Sequence, residues 1–144
     1  MNKILNTSLA GKKILEKISI IDKKNSNKFK KIEDKLIVEE KKIKQQKNIL
    51  SKDEFQNKVI DLRKNASTFS SDVIKSKNDL IQKKQRSMNK LIEILNPILS
   101  DYASKNSISI ILQKKNIIIG KKELDVTNEI LTILNKKITN IKIN

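Results

Sequence analysis

Apolar residues recur every seven positions along the first third of the chain, at Phe29, Leu36, Ile43 and Leu50. After a short polar interruption the same beat resumes at Phe55, Leu62 and Phe69, with Val59, Ala66 and Val73 on the interleaved three–four spacing. A seven-residue apolar repeat is the mark of helices that pack along a narrow seam. The two series mirror each other about residues 52–53. Leu50 then faces Phe55, Ile43 faces Leu62, Leu36 faces Phe69 and Ile32 faces Val73, each pair summing to 105. The pattern predicts an antiparallel helical hairpin over residues 23–90, with its tip near 51–54. Ser51-Lys52-Asp53-Glu54 reads as a capping box, in which the serine accepts from the exposed amides of the second helix and the glutamate reaches back.

The predicted first helix starts at Thr7 or Ser8 and ends about Ile49. Gly11 is tolerated near its start at a cost of about 1 kcal/mol relative to Ala. Ile14, Leu15, Ile18 and Ile21 give it a dense apolar base, and the polar run Asp22–Lys28 is expected to bend or fray it. The second helix is predicted from about Lys52 to Lys105. Its stripe thickens at Leu91, Ile94, Leu95, Ile98 and Leu99, and Pro97 is expected to kink or break it.

The period changes after Asn106. Ile108, Ile110 and Leu112, then Ile117 and Ile119, lie in β-branched runs separated by Gln113–Asn116 and closed by Gly120, a pattern that predicts a β-hairpin over about 108–119. A short amphipathic helix follows over about 127–138, with Asp125 or Thr127 as its cap. The predicted fold is therefore α+β and predominantly helical, with a lean helical arm over 23–90 and a body formed by 1–22 and 91–144. A two-stranded hairpin is marginal alone, and these strands are too apolar to leave a face and an edge exposed. The expectation is a homo-oligomer assembled through the strands and the terminal helix.

Composition narrows the chemistry. The 144 residues contain no Cys, His or Trp, which removes thiol nucleophiles, imidazole bases and zinc sites. The remaining acids stand singly among lysines, so no catalytic, cofactor or metal site is expected and the chain does not read as an enzyme. No run of apolar residues is long enough to span a bilayer. The formal charge of +16 arises from 32 basic and 16 acidic residues, of which only Arg63 and Arg86 are arginine. Such an excess attracts polyanions, but it is spread along the chain without a dense basic tail. Nucleic-acid binding is the weaker alternative: the aromatic residues are Phe29, Phe55, Phe69 and Tyr102 alone, three of them on the seam, so there is no base-stacking platform. A purely structural oligomerising rod is a third reading, opposed by the strand pair and terminal helix.

Three segments resemble the Skp/OmpH family of periplasmic chaperones. Ser8-Leu9-Ala10-Gly11-Lys12 is similar to that family's S-x-x-G-K segment. The hairpin is similar to its arm, and Ile108–Leu112 followed by Asp125-Val126-Thr127 is similar to its strand pair and D-[IV]-T motif. The resemblance implies a jellyfish-like homotrimer whose helical tentacles hold unfolded outer-membrane proteins in the periplasm without ATP. It also implies a signal peptide and a first strand before the S-x-x-G-K segment, where Asn2–Leu5 stand here, so the start is expected to be trimmed or to lie upstream. Within that frame Phe29, Leu36, Ile43, Leu50, Phe55, Leu62 and Phe69 are candidate seam or client-contact residues. Ile108, Ile110, Leu112, Ile117 and Ile119 are candidates for the oligomer body. The lysines are mostly a solvated face that could meet acidic client segments, lipopolysaccharide or an anionic membrane surface.

Overall fold

In a computed structural model, which describes residues 1–143, four helices account for most of the chain. These are α1 (Asn2–Thr7), α2 (Leu9–Gln45), α3 (Lys52–Lys105) and α4 (Thr127–Lys137). At 1.5 Å per residue α2 and α3 are about 55 and 80 Å long. The chain divides into two compact units, and both long helices contribute to each. One unit holds Met1–Ser19 and the chain from Gln82 onward; the other is Ile20–Ile81.

The first unit contains a continuous apolar core. Ile4 and Leu5 of α1, Ala10 and Ile14 of α2, Leu91, Leu95 and Ile98 of α3, and Ile130 and Leu134 of α4 are buried in it, together with Ile141. Four helices can enclose an interior, which is why six of these side chains lose all contact with solvent. The joint between α1 and α2 is tight. Ser8 is extended at the end of α1, and its Oγ accepts a 3.1 Å hydrogen bond from the Gly11 amide, capping the first turn of α2. Directly against that turn lies the Leu5 carbonyl. A Cβ on Gly11 would collide with its oxygen, so this glycine is required rather than merely tolerated. The Leu9 amide is satisfied from α4, whose Asn135 Oδ1 accepts at 2.8 Å, and Lys17 donates to Asn140 Oδ1 at 3.0 Å.

The second unit is the antiparallel hairpin of α2 and α3. Its turn, Gln46–Leu50, is closed by bonds from the Ile49 and Leu50 amides to the Gln46 carbonyl. The capping box then starts α3: the Glu54 amide donates to Ser51 Oγ at 3.3 Å, and the Ser51 amide donates to Glu54 Oε2 at 3.1 Å. Asp53 and Glu54 in the first turn also complement the positive end of α3.

Several sequence expectations need correction. The first helix ends at Gln45, not Ile49, because the turn consumes the next five residues. The fold point therefore lies near residues 49–50 rather than 52–53, and the register shifts with it. The Phe29 and Phe69 rings meet edge-on at 6.0 Å, a pair summing to 98, and Asn25 Nδ2 donates to Ser76 Oγ at 2.9 Å, a pair summing to 101. The seam is the expected stripe, displaced by about one heptad; a seven-residue repeat cannot distinguish two registers seven apart. Asp22–Lys28 remains within unbroken helix, and α3 continues through the exposed Pro97. The helix Asn2–Thr7 precedes the expected start.

The largest departure concerns 108–119. No strand forms among the described residues, so the single chain is all-α. Two 3-10 turns, Lys114–Asn116 and Lys122–Leu124, punctuate an otherwise irregular segment. Gln113, Ile117 and Lys121 keep extended dihedrals. Runs rich in isoleucine favour that conformation, but a strand also needs a neighbour to satisfy its backbone. Upstream, α3 ends in a Schellman motif. The Ile108 amide donates to the Ala103 carbonyl at 2.9 Å, and Ser107 takes the positive φ of 52° usually given to glycine.

Candidate functional site

A pair of helices can bury only a stripe, and the hairpin seam is correspondingly lean. Ile43 is buried, whereas Phe29, Leu36, Leu50, Phe55, Leu62 and Phe69 are half-buried. The edge-on contact of Phe29 with Phe69 occupies both rings, and the Lys28 ammonium lies 5.8 Å from the Phe29 ring centroid. Phe29 and Phe69 are thus engaged with each other.

Away from the seam the two flanks of the hairpin differ in character. One carries a shallow open groove of about 620 Å³, lined by Asp34, Lys35, Val38, Glu39, Lys42, Ile43 and Gln46 of α2 and by Lys58 of α3. Both signs of charge lie along it. Nearby, Glu40 pairs with Lys44 at 2.6 Å, and that ammonium holds the Glu40 carboxyl below its ordinary pKa. The other flank is made by α3, where Ile60, Ile74 and Ile81 are 59, 58 and 66% exposed. The sequence repeat gave no sign of these positions, because each stands one residue past a seam position.

In the other unit, Ile108 is half-buried and Ile110, Leu112, Ile117 and Ile119 are exposed, as is Ile118 between the last two. The segment is closed at its far end by Asp125. Lys114 Nζ donates to Asp125 Oδ2 at 2.7 Å, and the amide and hydroxyl of Thr127 donate to Oδ1; the N-cap of α4 is Val126, between the two expected capping residues, and it has no side-chain cap bond. The ammonium of Lys114, then the Thr127 hydroxyl and amide, hold the Asp125 carboxyl well below the usual carboxylate range. Glu54 is held down by the Ser51 hydroxyl and then the Ser51 amide.

No cluster of three or more acids that could hold a metal ion occurs among the described residues, and no helix there is long and apolar enough to cross a membrane. The buried hydroxyls of Ser8 and Ser87 are both bonded, the latter to the Lys83 carbonyl at 2.8 Å. What the molecule offers is surface: sparse apolar side chains on a basic hairpin, and an exposed, isoleucine-rich irregular segment.

Comparison with known proteins agrees with the segment-by-segment likeness. A family profile described as outer membrane protein (OmpH-like) matches residues 1–134. A crystal structure of a candidate outer membrane chaperone (OmpH-like) from Caulobacter crescentus CB15 superposes with a TM-score of 0.91 at 15% sequence identity. The match covers 99% of this chain and 84% of that one, which shows a shared fold. No curated protein matches the chain in sequence.

Proposed function

The chain belongs to the OmpH-like outer membrane protein family, and on that premise we propose that it is an ATP-independent holdase. It would bind unfolded outer-membrane proteins in the periplasm and prevent their aggregation. The observation that carries this reading is the family match, which runs through both units, from Met1 to residue 134. The charge supports it. A formal +16 distributed over long helices steers acidic segments of a client by long-range attraction, and lipopolysaccharide phosphates or an anionic bilayer would feel the same field. A lean surface supports it too: many weak apolar contacts can hold a chain and still release it without fuel.

The same reading makes the active form a homotrimer. Ile110, Leu112, Ile117 and Ile119 are exposed, and copies pairing through this segment would cover these side chains. The nucleic-acid alternative is disfavoured by the seam itself, which occupies Phe29 and Phe69 in each other's company.

The test is aggregation of a urea-denatured outer-membrane β-barrel diluted into buffer. Substoichiometric to equimolar protein should suppress light scattering, less effectively as salt rises. A mobility shift of duplex DNA at 150 mM salt without any effect on the barrel would replace this reading with the nucleic-acid one. Light scattering after size exclusion should give three times the chain mass, and a monomer at micromolar concentration would overturn the assembly.

A further inference from the structure

The seam residues are the obvious apolar candidates for client contact, yet the hairpin has already used them. Phe29 and Phe69 fill each other's edge, and Ile43 is buried. A client must be met by side chains that the hairpin leaves free of packing. On α3 these are Ile60, Ile74 and Ile81, all more than half exposed. They fall at intervals of fourteen and seven residues, so at 1.5 Å rise they stand about 21 and 10 Å apart on one face. Each follows a seam position by one residue (Val59, Val73, Leu80), which places the face to one side of the seam.

Acidic residues of α3 are kept off that face. Arg63 and Lys77 lie three residues past Ile60 and Ile74, and Lys64 lies four past Ile60; all three are exposed. The carboxylates of this stretch fall on other heptad positions, Asp72 and Asp79 away from the isoleucines and Asp61 beside Lys64 at the edge of the face. The groove on the opposite flank, with Asp34 and Glu39 among its three lysines, largely compensates its own charge. The Ile60–Ile81 face does not. It pairs separated apolar points with an excess of cations.

We infer that this face of α3, carrying Ile60, Arg63, Lys64, Ile74, Lys77 and Ile81, is where an extended polypeptide bearing interspersed apolar and acidic side chains docks. The inference rests on the chaperone reading above and names its contact surface and the chemistry of the segment it takes. The spacing favours a polypeptide over a bilayer. Ser67, Ser71 and Asn78 separate the isoleucines, so the face offers isolated points for single side chains rather than the continuous apolar stripe that lies in a lipid interface. Three such points with cations beside them give weak, multivalent attachment.

The test uses the full chain and a urea-denatured outer-membrane barrel as probe. Ile60→Ala/Ile74→Ala/Ile81→Ala keeps good helix formers at exposed positions, and should raise the concentration needed for half-suppression of aggregation about tenfold. Arg63→Gln/Lys64→Gln/Lys77→Gln should raise it less and flatten its salt dependence. A photo-crosslinking residue at position 74 should capture the barrel in wild-type background. Suppression equal to wild type by the alanine variant would overturn the inference while leaving the chaperone reading intact. Crosslinking of position 74 to a second copy, or a changed oligomer mass in the alanine variant, would also overturn it. A wild-type chain that fails to protect the barrel would overturn both.

Discussion

The two units use the same long helices and solve the packing problem differently. Where α2 and α3 are joined by α1 and α4, side chains such as Ile14, Leu91, Leu95, Ile130 and Leu134 lose all exposure. Where α2 and α3 pair by themselves, Ile43 alone is buried among the described residues and the rest of the seam stays half wet. Residue type does not explain the contrast, since Leu62 and Leu95 are the same side chain. Geometry does. Two cylinders share one line of contact, whereas four enclose a volume, and only enclosed side chains collect the full benefit of leaving water. Polar pairing partly compensates the hairpin: the Asn25–Ser76 bond sits on the seam, where an apolar pair would bury more but specify register less.

The contrast can be broken most severely at the α1–α2 joint. Gly11→Ala drives a methyl into the Leu5 carbonyl and should cost about 3 kcal/mol or more, read as a large fall in the urea midpoint of the first unit. The comparison is sharpened by paired truncations. Leu95→Ala should cost about 3–4 kcal/mol, as expected for a fully buried leucine, and Leu62→Ala about half as much; equal losses in denaturant titrations would show that the seam is as dry as the core. Ser51→Ala removes the cap of α3 at the turn and should cost about 1 kcal/mol, with amide exchange accelerating first in residues 52–60. Ser107→Gly relieves a positive φ and should stabilise by up to about 1 kcal/mol, seen as a raised Tm.

Acid supplies the mildest test. Asp125 is depressed in the folded chain, so its contribution is fully present above the unfolded carboxylate pKa of about 3.9 and is lost as pH falls through the lower folded value. Titration below pH 4 should therefore loosen the Glu54 capping box of the hairpin first and the start of α4, followed by NMR of the Thr127 amide, only at lower pH. Asp125→Asn should remove the latter pH dependence.

Periodicity revealed the long helices and their seam, and the Ser51–Glu54 box located the start of α3 to the residue. It could not fix the pairing register, because sliding α3 by seven residues presents the same stripe; the Asn25–Ser76 and Phe29–Phe69 contacts decide it. Gly11 read as a minor blemish in a helix because its neighbour across the joint, Leu5, lies in a six-residue helix too short to show a period. The 108–119 segment carried true strand propensity, but propensity names a conformation and not a partner. Ile60, Ile74 and Ile81 were overlooked for the opposite reason. They repeat at seven, yet stand outside the stripe that packing selects, and exposure rather than pattern brings them forward.

The core of the first unit also imposes a schedule. Ile4 and Ile14 are made well before Ile130 and Leu134, which complete their surroundings from more than a hundred residues further along the chain. At roughly 5–20 residues per second the earlier segment waits on the order of ten seconds for its partners. During that interval the nascent chain is itself an unfolded polypeptide with apolar groups uncovered.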